Sequence, residues 1–106
     1  MAKKPETILQ SKIMDYLKIK GWYVKNTHGN AYQSGFPDIY AICRSYGTRW
    51  IEVKREKYSF TSEQLKTFHQ FASHGVGIWI LTAATDEEYA KLFRQANWYQ
   101  FLSVAK

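Results

Sequence analysis

The run Arg49-Trp50-Ile51-Glu52-Val53-Lys54-Arg55 has the alternation of an extended strand with one dry face. Side chains along a strand point to opposite faces in turn, so Ile51 and Val53 share one face while Glu52 and Lys54 share the other. An acid and a base therefore project side by side. A second acid, Asp38, follows the proline of Ser34-Gly35-Phe36-Pro37-Asp38, in a segment that also reads as a strand. Two carboxylates and an ammonium group are expected within reach of one point, and a divalent metal would explain why carboxylates are concentrated there.

The chain has 106 residues, the size of one domain, and its 45% hydrophobic and 17% aromatic content is enough for a small core. With only 6 Gly and 2 Pro, disorder is not expected. A balance of 15 Lys and Arg against 9 Asp and Glu, formally +6, suits a polyanionic partner such as nucleic acid, although solubility alone also accounts for it. Cys43 is the only cysteine, which excludes an internal disulfide and a Cys-based zinc cluster. Its apolar neighbours make it a core residue. The start, Met1-Ala2-Lys3-Lys4, has no apolar signal segment, and no stretch approaches the length of a membrane span. A soluble intracellular protein is the simple reading.

Apolar periodicity predicts a helix from Pro5 to Lys20, with Leu9, Ile13, Tyr16 and Leu17 as its stripe and Gly21 as its stop. Residues 22–25 read as a strand and 26–35 as a loop. Residues 36–43 and 49–55 read as two strands joined by a turn around Ser45-Tyr46-Gly47, an antiparallel hairpin. Thr61-Ser62-Glu63-Gln64 opens a second helix with a capping-box pattern, with Leu65, Phe68, Phe71 and Ala72 as its apolar face and Gly75 as its end. Residues 76–81 form a continuous apolar run typical of a buried strand, and residues 86–95 a third helix. Residues 98–104 read either as a last strand or as a tail that packs on a neighbour. The expected class is α/β, a mixed β-sheet flanked by helices in the order α-β-β-β-α-β-α, with a final β as the open alternative.

If the hairpin turns near Tyr46, Asp38 lies opposite or diagonal to Glu52, roughly 5–8 Å away at the backbone. Two such carboxylates repel unless a cation lies between them, and Mg²⁺ or Mn²⁺ fits, with the Val53 carbonyl as a further oxygen ligand. This is the equipment of phosphodiester hydrolysis. The metal lowers the pKa of a water, so no histidine base is needed, and Lys54 orients that water and offsets charge on the phosphate. Glu6 lies on the stripe of Leu9, Ile13 and Leu17, so it is either a metal ligand, direct or through water, or a first-turn acid favoured by the helix dipole. Gln64 is either the capping partner of Thr61 or an amide that holds the water or a phosphate oxygen.

Arg55 and Lys57 extend the basic cluster beside Lys54 and are placed on phosphates. Lys25 and the loop leading to Pro37, with His28, Asn30, Tyr32, Gln33, Ser34 and Gly35, are placed near substrate. Tyr32 and Tyr58 either stack on unpaired bases or pack in the core. His28 alone indicates neither a zinc ligand nor a base, and His69 and His74 read as incidental.

Pro37-Asp38 followed by Glu52-Val53-Lys54 resembles the signature of the PD-(D/E)xK nuclease superfamily. A helix-one Glu6, the Ser34-to-Asp38 segment, the Ile51-to-Lys54 strand and Gln64 on the next helix together resemble its virus-type replication-repair nuclease (VRR-NUC) family, over residues 6–81. Phe36 replaces the family's usual aliphatic residue, which touches packing rather than chemistry. The resemblance implies a restriction-endonuclease-like core, Mg²⁺ or Mn²⁺ dependence and DNA as substrate. It implies metal roles for Asp38 and Glu52, a catalytic role for Lys54, and support from Glu6 and Gln64. It also suggests a viral or mobile-element origin.

Stand-alone members of this size resemble Holliday-junction resolvases that act as homodimers in DNA recombination and repair. Paired nicks across a two-fold symmetric junction need two sites related by that symmetry. The aromatic tail Trp98-Tyr99-Gln100-Phe101-Leu102 is either the dimer surface or core. The expected activity is a metal-dependent, structure-selective DNA endonuclease acting on branched DNA. The alternatives are a flap or nicking endonuclease of the same fold, a catalytically silent nucleic-acid-binding subunit, or a small basic interaction protein whose motif is coincidental.

Overall fold

A computed structural model describes residues 5–27, 35–56 and 58–104. The chain forms helix α1 (Pro5–Ile19), strands β1 (Tyr23–Asn26), β2 (Ile39–Cys43) and β3 (Gly47–Val53), then helix α2 (Ser62–Ser73). Strand β4 (Ile78–Leu81), helix α3 (Asp86–Ala90), a 3-10 turn over Lys91–Phe93 and helix α4 (Trp98–Val104) follow. The sheet order is β1-β2-β3-β4. The first two pairings are antiparallel and the β3–β4 pairing is parallel, with α2 as the crossover. This is an α/β fold with a mixed sheet. Among the described residues, no helix is long and apolar enough to cross a membrane.

Both faces of the sheet are covered, which is why its strands read so differently. Ile13 and Leu17 of α1 pack on Val24, Ile39, Ala41, Ile51, Val53, Trp79 and Leu81. On the opposite face Phe68 of α2 and Trp98 of α4 pack on Ile78 and Ile80, with Trp50, Phe60, Phe71, Phe101 and Leu102 around them. β4 feeds both clusters alternately, so all four of its residues are buried. Cys43 is half-buried against the first cluster. Ala72, read as part of the apolar face of α2, is exposed.

The hairpin turns through residues 44–46, and Gly47 takes the left-handed conformation (φ +73) that closes it. β2 starts at Ile39 rather than Phe36, because Pro37 has no N–H to give to a ladder. The predicted third helix is shorter than residues 86–95: α3 is capped by Thr85, tightens at Lys91 and ends at Phe93. The final segment is a helix, so the option of a last strand is corrected. Trp98, Phe101 and Leu102 have the i, i+3, i+4 spacing of one helical face and pack inward, while Tyr99 and Gln100 are exposed. Asn97, just before α4, covers the open edge of β4 as a neighbouring strand would. Its carboxamide accepts from Ile80 N at 2.6 Å and donates to Ile80 O at 3.3 Å.

Gly35 is positioned by packing. Its φ is +83, and a Cβ there would lie 2.5 Å from the Glu63 carbonyl oxygen and 2.9 Å from Thr67 Oγ1. The segment entering β2 thus presses directly on α2. Gly35→Ala is expected to destabilise the fold by about 1–3 kcal/mol, read as a lower urea midpoint at unchanged m.

Candidate functional site

The hairpin register pairs Ile39 with Ile51, so one step beyond the end of β2 Asp38 faces Glu52. Asp38 is fixed there from two directions. Its Oδ2 accepts from Val53 N at 2.8 Å, in the place a ladder carbonyl would occupy. Its own carbonyl accepts from Thr27 N at 2.9 Å, and the Thr27 hydroxyl bonds the Pro37 carbonyl, so the end of β1 pins the Pro37-Asp38 backbone.

Glu52 lies on the α2 face of the sheet and is 2% exposed. Its Oε2 accepts from Lys54 Nζ at 3.0 Å and from Gln64 Nε2 at 2.7 Å. Its Oε1 is buried and has no hydrogen-bond partner among the described residues. Lys54 is also buried. Its ammonium has three donors, and three acceptors surround it: Glu52 Oε2, Gln64 Oε1 at 3.1 Å and the Ser59 carbonyl at 2.7 Å. The ammonium also sits 4.5 Å from the centre of the Phe60 ring.

Gln64 takes the capping role that the sequence offered, and its amide also bonds Lys54 and Glu52, a contact the sequence did not point to. Its backbone N donates to Thr61 Oγ1 and its Oε1 accepts from Thr61 N, both at 3.0 Å, which completes the capping box of α2. The same amide oxygen accepts from Lys54 while its nitrogen donates to Glu52. The helix cap therefore orients the acid–base pair.

Burial pushes the Glu52 carboxyl up to about 8, and the neighbouring Asp38 charge adds to the rise; Lys54 offsets only part of it. A carboxyl in this setting ionises when something positive arrives. One oxygen is already held, and the other needs a partner, because an unsatisfied buried acceptor costs about 1–3 kcal/mol.

An open cleft of about 260 Å³ lies at this end of the sheet. Asp38, Glu52, Val53, Lys54 and Arg55 form its floor and rim, Glu6, Thr7 and Gln10 of α1 form one wall, and Tyr58 and Ser59 form another. Two carboxylates and a main-chain carbonyl suit a small hard cation, which binds through one or two carboxylates and keeps several waters. They do not suit zinc, which takes Cys and His ligands in closed sites. Among the described residues, no three His, Cys, Asp or Glu side chains converge as a metal cluster. Glu6 accordingly lines the cleft without closing a three-acid cage.

The remaining predicted residues scatter. Arg55 is exposed at the cleft. Lys25 stands on β1 across from Tyr40, with its ammonium 5.5 Å from the Tyr23 ring, and does not line the cleft. Gly35 serves the contact with α2 described above. Ser34 and Lys57, with His28, Asn30, Tyr32 and Gln33, lie outside the described residues. Thr7, Gln10 and Ser59 were not anticipated. Gln10 is four residues beyond Glu6 on α1, a helical spacing that marks one face, and this signal was legible. Ser59 acts through its carbonyl, for which residue type carries no signal.

No family model matches the chain, and no curated protein and no solved structure matches it either.

The raised Glu52 carboxyl has a defined consequence in the metal-free protein. Between its ordinary value of 4.5 and about 8, the folded state keeps a proton that the unfolded state releases, so stability falls as pH rises through that window. In EDTA, Glu52→Gln should therefore gain stability relative to wild type at pH 8 and less or none at pH 5, measured by urea denaturation at both values.

Proposed function

We propose that this chain is a metal-dependent DNA endonuclease that hydrolyses phosphodiester bonds, with branched DNA such as a Holliday junction as its preferred substrate. The observation that carries the reading is the pairing of Asp38 with Glu52 across the hairpin end, beside a cleft, with Glu52 Oε1 buried and unpartnered among the described residues and Lys54 on the other oxygen. The resemblance of these residues to the VRR-NUC pattern supports it, as does the charge of +6.

Asp38, Glu52 and the Val53 carbonyl would hold Mg²⁺ or Mn²⁺, with Glu6 in the outer shell. When bound, the cation supplies Lewis acidity toward a phosphate oxygen and toward water. Val53 N fixes the Asp38 carboxylate so that it does not swing away from its partner. Lys54 and Gln64 hold Glu52 by one oxygen and leave the other for the ion. Lys54 offsets charge building on the phosphate by exchanging one of its three acceptors for a phosphate oxygen or the attacking water. Arg55, exposed at the rim, takes a neighbouring phosphate. A homodimer would present two such sites to the two-fold axis of a junction. A binding-only subunit would gain nothing from two acids set against a polyanion.

The test is cleavage of labelled four-way junctions, flaps and duplex in Mg²⁺, Mn²⁺ or EDTA. Symmetric paired incisions on the junction, absent in EDTA, are expected. Asp38→Asn keeps an acceptor for Val53 N and removes the charge, so it should fold normally and lose about 100-fold or more in rate. Lys54→Ala should lose a similar factor. Binding without cleavage in every metal would point to the silent subunit, and absence of both to a coincidental motif.

A further inference from the structure

We propose that α4 is a positioning element for Lys54, acting through Tyr58 and Phe60. The inference rests on the reading above in so far as Lys54 works at the site. Its geometry stands without it.

Lys54 leaves β3 at the sheet end, and its ammonium is held by two groups of the segment that leads to α2: the Ser59 carbonyl at 2.7 Å and the face of the Phe60 ring at 4.5 Å. The described residues of that segment form no strand or helix of their own to fix it. The last helix holds it at Tyr58. Tyr58 donates its hydroxyl to the Phe101 carbonyl at 3.0 Å, and the two rings meet edge to face at 5.5 Å. Tyr58 in turn meets Phe60 at 5.9 Å, and Phe60 meets Phe68 of α2 at 6.1 Å. α4 is anchored independently, because Trp98 is 3% exposed and packs on the same Phe68 at 5.6 Å.

The contacts therefore run from α4 through Tyr58 and Phe60 to the ammonium. If this prop is removed, the Ser59 carbonyl loses its fixed position and the Phe60 ring keeps only Phe68, so Lys54 is held firmly by Gln64 and Glu52 alone. Tyr58 also lines the cleft, so its anchorage sets the position of that wall.

Two readouts test this, one of them independent of any nuclease activity. Reductive methylation followed by peptide mass spectrometry measures access to the Lys54 amine. In wild type, Lys54 should react about tenfold more slowly than the exposed Lys12 and Lys66. Tyr58→Phe removes only the hydroxyl, and Phe101→Ala removes the ring from a residue that does not line the cleft. Both should speed Lys54 labelling several-fold, with the proteins assayed well below their Tm. In the cleavage assay, Phe101→Ala should lower kcat about tenfold at unchanged KM, since displacing a reacting group costs rate rather than affinity. Tyr99→Ala, on the exposed side of α4, should leave labelling and kcat unchanged. Unchanged labelling of Lys54 in Tyr58→Phe and Phe101→Ala would overturn the proposal. If wild type cut no DNA in any metal, the nuclease reading would fail while the labelling result still decided this one.

Discussion

Glu52 sits in the sheet with one oxygen clamped and the other unpartnered among the described residues, and its surroundings are arranged around that imbalance. Burial and the Asp38 charge both disfavour its ionised form, while Lys54 and Gln64 favour it through a single oxygen. Take away the clamp and the carboxyl has no reason to stay buried. Take away the burial and the second oxygen is simply hydrated. The site is a place where a positive charge is worth more than it would be in water, because low local polarity strengthens whatever interaction is finally made.

The fold supplies this setting through one junction of two pairing modes. β2 and β3 form a hairpin, which brings Asp38 opposite Glu52 at the end away from the turn. β3 then pairs in parallel with β4, so the chain must cross over the sheet through α2 before it can return. The crossover leaves from just beyond Lys54 and delivers the N-terminus of α2, with Gln64, to the same end. α1 reaches that end with its own N-terminus, contributing Glu6, Thr7 and Gln10. Three elements thus converge at one sheet end because of strand order, not because their sequences are adjacent.

The aromatic residues divide in the same way. Those of α2 and α4 form a chain of edge-to-face contacts that fills the second core and reaches Lys54 through Phe60. An aromatic core of this kind carries directional packing as well as apolar area. It can therefore hold a loop carbonyl in place at a distance.

Much of this was legible from residue order alone. The alternation of Ile51-Glu52-Val53-Lys54, the hairpin, the capping box at Thr61 and the buried run of β4 are local patterns with periods of 2 or 3.6 residues, and local sterics enforce them. From these the α/β class, the pairing of Asp38 with Glu52 and the place of Gln64 all follow. Three things did not. Residues 98–104 combine residues that suit a strand with helical spacing, and only the hydrophobic groove between α2 and β4 decides for the helix. Gly35 reads as a loop residue, and only the approach of the α2 backbone shows that its position is reserved for glycine. The full occupation of the Lys54 donors and the acceptor on Glu52 left unmatched among the described residues depend on where a distant cap and a loop carbonyl come to rest. Periodicity records which face a side chain takes; the partner it meets there is set by packing between elements far apart in the chain.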